Sequence, residues 1–165
     1  MKFIFLDIDG VLNSRQFIQN LEQTKSPLFE DCNQWIDPNL VNKLNKLIEE
    51  TGAEVVMSSS WRLDHTKEQL EKLLSVYGFN HQIYSYTPDD WYCERGGEIK
   101  SWLKEYVINN KLDGFVILDD LNNMGDLISH LVQTDEEYGL QDCDVEKAIN
   151  ILNGDINVNF NRPTI

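Results

Sequence analysis

Short apolar runs at residues 3–6, 55–57, 83–86, 115–118 and 131–132 alternate with longer stretches of helical spacing. A short strand cannot cover its own two faces, and parallel neighbours need long crossover connections, usually helices. Right-handed crossovers then place helices on both sides of the sheet. The expected fold class is therefore α/β: three layers, helices–sheet–helices, around a mostly parallel sheet of five strands. The helical stretches carry their own punctuation. In residues 37–52, Asp37 can cap, Pro38 takes the first helical position and Gly52 ends the run. Leu40, Leu44, Leu47 and Ile48 share one face there. Residues 65–78, 97–110 and 144–154 repeat the pattern, with Leu70 and Leu74, Ile99 and Leu103, and Val145 and Ala148 as the inward positions.

Active sites in such sheets lie at the carboxyl ends of the strands, where strand order reverses. Those ends are chemically alike here. The first run stops at Asp7-Ile8-Asp9-Gly10, the second at Ser58-Ser59-Ser60, and the fourth at Asp119-Asp120. A single Asp after a strand is an ordinary turn or cap residue. Four carboxylates and a hydroxyl on one sheet edge are not explained as caps. Each like-charged pair at about 4 Å costs on the order of 4 kcal/mol at an effective dielectric near 20. The cluster calls for a cation, and an all-oxygen donor set favours Mg²⁺.

Composition narrows the alternatives. The chain has 165 residues, enough for a single domain (1–165) with a proper core. No apolar run is long enough to cross a bilayer, and the start of the chain does not read as a signal or transit segment, so a cytoplasmic location and no membrane partner are expected. Three scattered cysteines and three scattered histidines support neither a disulfide framework nor a zinc site. A net charge of −14 with no basic stripe disfavours an extended nucleic-acid-binding surface, although one phosphate at a chain end remains compatible.

"DIDGVLN" resembles the DxDG signature of the haloacid dehalogenase (HAD) superfamily of aspartate-nucleophile phosphohydrolases. "VVMSSSWR", "RGGEIKSWL" and "VILDD" resemble its second, third and fourth motifs, in order. More narrowly, "SSSWR", "TPDDWYCERGGEIKSWL" and "LVQTDEEYGL" look like the small HAD domain found in RNA-repair proteins. The resemblance implies a Rossmann-like HAD fold with a minimal cap and a Mg²⁺-dependent phosphatase. Asp7 would be the nucleophile, Asp9 the general acid and base, and Gly10 the turn that lets both face one phosphate. Asp7, the Asp9 carbonyl and Asp119 would hold the ion, with Asp120 nearby. Ser58 would bind a phosphoryl oxygen, with Ser59 as the alternative. Arg95 would supply the cation of the third motif, with Lys100 as the alternative. Arg62 would either touch phosphate or form an ion pair at a surface or helix N-terminus.

Two insertions, residues 14–36 and 86–94, could form a small cap. Their aromatic and apolar residues Phe17, Leu28, Phe29, Trp35, Trp91 and Tyr92 either line the substrate entrance or pack the loops. A small cap implies an open site, and the expected substrate is a nucleotide or a nucleic-acid terminal phosphate. The competing expectation is a metal-binding or protein-interaction module that kept the fold and lost turnover. Oligomeric state is not readable from the sequence.

Overall fold

The computed structural model describes residues 1–25, 35–90 and 93–154. Its elements follow the expected alternation: β1 (Lys2–Leu6), α1 (Arg15–Gln23), α2 (Pro38–Thr51), β2 (Glu54–Met57), α3 (Lys67–Val76), β3 (Ile83–Tyr86), α4 (Arg95–Asn109), β4 (Gly114–Asp119), β5 (Leu131–Gln133) and α5 (Asp142–Asn153). Short 3₁₀ turns occupy Ser60–Leu63 and Gly125–His130. The five strands pair in the order β3-β2-β1-β4-β5. Every neighbouring pair is parallel. The chain works outward from β1 to β3, crosses back through α4, and resumes at β4. The order thus reverses between β1 and β4, which is where a ligand crevice belongs.

Side-chain alternation along the strands builds two cores. On one face, Ile4, Leu6, Val55, Met57, Val116 and Leu118 pack with residues of α2, α3 and α5. On the other, Phe3, Phe5, Val56, Phe115 and Ile117 meet Ile99, Leu103 and Tyr106 of α4. Phe3 touches Trp102 and Tyr106 edge-on, at 4.9 and 4.8 Å between ring centroids, so aromatic packing fastens α4 to the sheet. This is the Rossmann-like three-layer arrangement that the motif order implies.

Helix ends follow local chemistry. Asp37 accepts the Asn39 N–H at 2.8 Å, and Gly52 closes α2 with a φ of +62°. Thr66 and Gln69 form a reciprocal capping box before α3. The structure departs from expectation at two helices. α4 begins at Arg95, two residues before the predicted start at 97, because Gly96 and Gly97 are helical rather than a preceding loop. α1 lies inside the segment read as an insertion; Ser14 caps it, and it buries no residue. Leu28, Phe29, Cys32, Trp91 and Tyr92 lie outside the described residues. No described helix is long and apolar enough to cross a membrane. The described cysteines, Cys93 and Cys143, are free thiols.

Candidate active site

The site grows from the end of β1. The Asp7 N–H donates to the Leu118 carbonyl at 2.9 Å, so the sheet ladder with β4 runs up to the carboxylate itself. The chain then folds over: Val11 and Leu12 both donate to the Ile8 carbonyl, at 3.1 and 2.8 Å. Gly10 makes this turn with a φ of +70°. A Cβ on Gly10 would lie 2.8 Å from Asp120 Cβ and Cγ. Glycine is required here twice, for the left-handed backbone and for the approach of Asp120. Thr134, just after β5, secures the turn, its hydroxyl donating to the Gly10 carbonyl at 2.7 Å.

Asp7, Asp119 and Asp120 each place a carboxylate oxygen within 4.8 Å of the others. Asp119 is wholly buried and Asp7 nearly so. Arg95, the first residue of α4, reaches into this group: its Nη1 lies 3.0 Å from Asp119 Oδ2 and 3.2 Å from Asp7 Oδ1. Its approach depends on the next residue. Gly96 donates its N–H to the Asn123 carbonyl at 3.2 Å, and any Cβ there would collide with the Met124 backbone. Lys100, the alternative cation, is turned away and pairs with Asp126.

One guanidinium does not balance three carboxylates. Burial, reinforced by the charge of Asp7, lifts the Asp119 pKa to about 7 despite Arg95. Burial and the same neighbour also raise Asp120. Burial works against the charge on Arg95, but Asp7 and Asp119 outweigh it and raise its pKa further. A site of this kind either holds a proton or takes a second cation. Three hard oxygen donors with excess negative charge fit Mg²⁺.

Asp9 departs from the expected cluster of four carboxylates. Its side chain is not in the group; the turn after Ile8 carries it to a separate wall. There Asn13 Nδ2 donates to Asp9 Oδ1 at 2.8 Å and Trp61 Nε1 donates to Asp9 Oδ2 at 2.9 Å. Asn13 also accepts the Gly10 N–H at 2.9 Å, so one amide holds both the turn and the carboxylate. Any contribution of Asp9 to metal binding therefore falls to its backbone carbonyl.

The serines divide. Ser58 and Ser59 both donate their N–H to the Leu6 carbonyl, at 3.0 and 3.2 Å, which ties the end of β2 to the end of β1. The Ser59 hydroxyl oxygen accepts the Trp61 N–H at 3.4 Å and caps the 3₁₀ turn. The Ser58 hydroxyl is buried and has no hydrogen-bond partner among the described residues. Leaving such a group unmade costs about 1–3 kcal/mol, so Ser58 is the hydroxyl with bonding capacity left for a ligand.

Arg62 as a phosphate contact is corrected by the geometry. Its Nε donates to the Thr87 carbonyl, Nη1 to the carbonyls of Ser58 and Ser59, and Nη2 to the Pro88 carbonyl and Glu98 Oε2. All the guanidinium donors are engaged, and only 4% of the side chain is exposed. It forms the ion-pair alternative, but in the interior rather than at a surface. Glu98 lies one turn beyond Arg95 on α4, so this pair links the serine loop to the helix that carries the other arginine.

Asn13, Trp61, Glu98 and Thr134 are the residues that motif reading passed over. Asn13 had a local signal, an amide three residues after a turn glycine. The other three act through partners distant in sequence.

A family model described as the HAD domain in Swiss Army Knife RNA repair proteins matches residues 3–145. Neither the comparison with curated proteins nor that with solved structures returns a match. The matched span covers most of the chain and includes the end of β1, the serine loop, the start of α4 and the end of β4, and the chain belongs to this HAD domain family.

Proposed function

We propose that the protein is a Mg²⁺-dependent phosphomonoesterase with Asp7 as nucleophile. The observation that carries this reading is the Asp7–Asp119–Asp120 carboxylate group, gathered around Arg95 where the strand order reverses. Asp7, Asp119 and Asp120 side chains, with the Asp9 carbonyl, would hold the ion. Bound there, Mg²⁺ neutralises charge on the phosphoryl group and helps to orient it.

The chain's own groups supply the rest. An Asp7 carboxylate oxygen attacks phosphorus, the ester bond breaks, and the leaving oxygen takes the proton of Asp9. This forms an aspartyl phosphate, which splits one difficult displacement into two. Asp9 then removes a proton from water, whose oxygen attacks the same phosphorus. Phosphate leaves and the Asp7 carboxylate is restored. Trp61 and Asn13 fix the orientation of the Asp9 carboxyl. Arg95 steadies Asp7 and offers cationic charge to the phosphoryl oxygens, and the Ser58 hydroxyl donates to one of them.

Phosphate release should be measured with millimolar Mg²⁺ over nucleotides, sugar phosphates and phosphorylated oligonucleotides. Wild type is expected to turn over at least one class, and EDTA to stop it. Asp7→Asn should lose kcat by on the order of 10⁴ or more, as nucleophile deletions do. It should also hold or gain stability without metal, because one like charge is gone. Mg²⁺ binding with no turnover of any class would instead support the non-catalytic module.

A further inference from the structure

Asp9 also lines an open pocket of about 400 Å³, within the range that holds small ligands. Asp9, Trp61, Leu63, Asp64, His65 and Trp35 are among its lining residues. Its relation to the chemistry follows from Asp9. A residue that protonates the leaving oxygen must face the leaving group, so a pocket with Asp9 in its wall is where that group rests. Its surface is aromatic. Trp61 and His65 are stacked, with ring centroids 6.0 Å apart and an interplanar angle of 21°. The His65 ring nitrogen Nδ1 lies 3.0 Å from the Trp61 carbonyl, which fixes the pair. Leu63 is half exposed at the same pocket, an apolar edge open to a ligand. Its charge is negative: Asp9 and Asp64 line it, and among the described residues no Lys or Arg does. Arg62, the basic residue nearest in sequence, is buried with its donors turned to loop carbonyls and Glu98.

Resting on the phosphatase reading, we propose that this pocket is the leaving-group subsite for a flat, uncharged ring carried next to one phosphate, and that its occupant is the nucleoside of a free nucleoside monophosphate. Trp61 is the stacking surface and, through its indole N–H on Asp9, the link between ring binding and proton transfer. Acidic walls repel any further phosphate on the leaving side. They set a mononucleotide apart from a nucleoside diphosphate whose second phosphate leaves with the nucleoside, and from an oligonucleotide end.

Two measurements test this separately from the phosphatase reading. The first is equilibrium binding of adenosine, which carries no phosphate, to wild type, Trp61→Ala and Trp61→Phe. Wild type and Trp61→Phe should bind, and Trp61→Ala should bind on the order of tenfold to a hundredfold more weakly, the usual effect of losing one stacking surface. The second is kcat/KM for adenosine 5′- and 3′-monophosphate against ribose 5-phosphate. Wild type should prefer a nucleotide, Trp61→Ala should lose the preference, and Trp61→Phe should keep the preference while losing kcat, because it retains the ring and lacks the N–H. Adenosine that does not bind at millimolar concentration, or equal kcat/KM with and without the ring, overturns the subsite. An oligonucleotide with the same phosphorylated terminal nucleoside separates the two sources; preference for it over the mononucleotide overturns the choice of a free nucleotide. Activity on ribose 5-phosphate without adenosine binding leaves the phosphatase standing and removes only the pocket. Adenosine binding without any turnover does the reverse.

Discussion

Arg62 and Arg95 both stand near the carboxyl edge of the sheet, both are largely buried, and both pair with carboxylates. Their surroundings differ in one respect. The donors of Arg62 go to four loop carbonyls and to Glu98, so its charge meets one opposite charge and its hydrogen bonds are complete. Arg95 bonds through Nη1 alone among the described residues, within a group of three carboxylates that it cannot balance. A complete network rigidifies a structure. An incomplete one, with excess charge of one sign, leaves bonding capacity for a ligand. Position near a motif does not distinguish these two arginines; the state of their partners does.

The largest expected effect comes from removing each arginine in turn. Arg62→Met should lower unfolding stability by about 3–5 kcal/mol, because it leaves Glu98 buried and unpaired. Millimolar Mg²⁺ should not restore that loss. Arg95→Ala should do the opposite: a melting temperature close to wild type once Mg²⁺ is present, and kcat/KM reduced by roughly 10²–10³, the range for losing one charge-stabilising donor. Denaturant titrations with and without Mg²⁺, beside steady-state kinetics, decide it. If Mg²⁺ rescues Arg62→Met and not Arg95→Ala, the two roles have been assigned in reverse.

These roles show where sequence reading succeeds and where it stops. Strand runs and helix punctuation are local, so β1, β2, β4 and the four amphipathic helices were legible within a few residues. Asp7, Asp119 and the basic start of α4 were legible for the same reason, since a parallel sheet brings strand ends to one edge. Arg62 was not. Its carbonyl partners come from the serine loop and from Thr87 and Pro88 beyond β3, and only the folded loops bring them together. The surroundings of Asp9 were hidden for a related reason. It was grouped with the other strand-end carboxylates, but β1 ends at Leu6 and the Asp9 side chain bonds to Trp61, 52 residues away in sequence.

The carboxylate side of the comparison can be sharpened with pH. In the metal-free protein Asp119 titrates at about 7, against an ordinary carboxylate value in the unfolded chain. A raised folded pKa means that the unfolded state releases its proton first as pH rises. Stability should therefore fall between about pH 4 and pH 7, by at most about 4 kcal/mol from this group. Mg²⁺ binds the ionised carboxylates, so its stabilising effect should grow over the same interval. Melting curves in EDTA and in Mg²⁺ at pH 5 and pH 8 measure both trends. Asp119→Asn should remove most of the EDTA slope; the same slope in that variant would assign it to other groups.

The smallest effect is expected at Lys100, and it tests the arginine assignment from the other side. Lys100 lies on α4 less than two turns beyond Arg95, close enough in sequence to serve as the third-motif cation. The structure pairs it with Asp126 instead, on the 3₁₀ turn after β4, and more than half of the Asp126 side chain is exposed. Lys100 holds the Asp126 carboxyl below its usual range, which is the expected effect of an adjacent ammonium group. Exposed pairs contribute little to stability because water and salt screen them. Lys100→Ala should leave kcat/KM within roughly twofold of wild type, as a screened pair remote from the carboxylate group allows. Whatever it does to the melting temperature should shrink further in high salt. Reading Arg95→Ala and Lys100→Ala side by side, on one substrate and at one Mg²⁺ concentration, makes the contrast quantitative. If Lys100→Ala lost more kcat/KM than Arg95→Ala, α4 would have to turn its second cation toward the phosphate during turnover, and the contact between Arg95 and Asp7 would be a resting arrangement only.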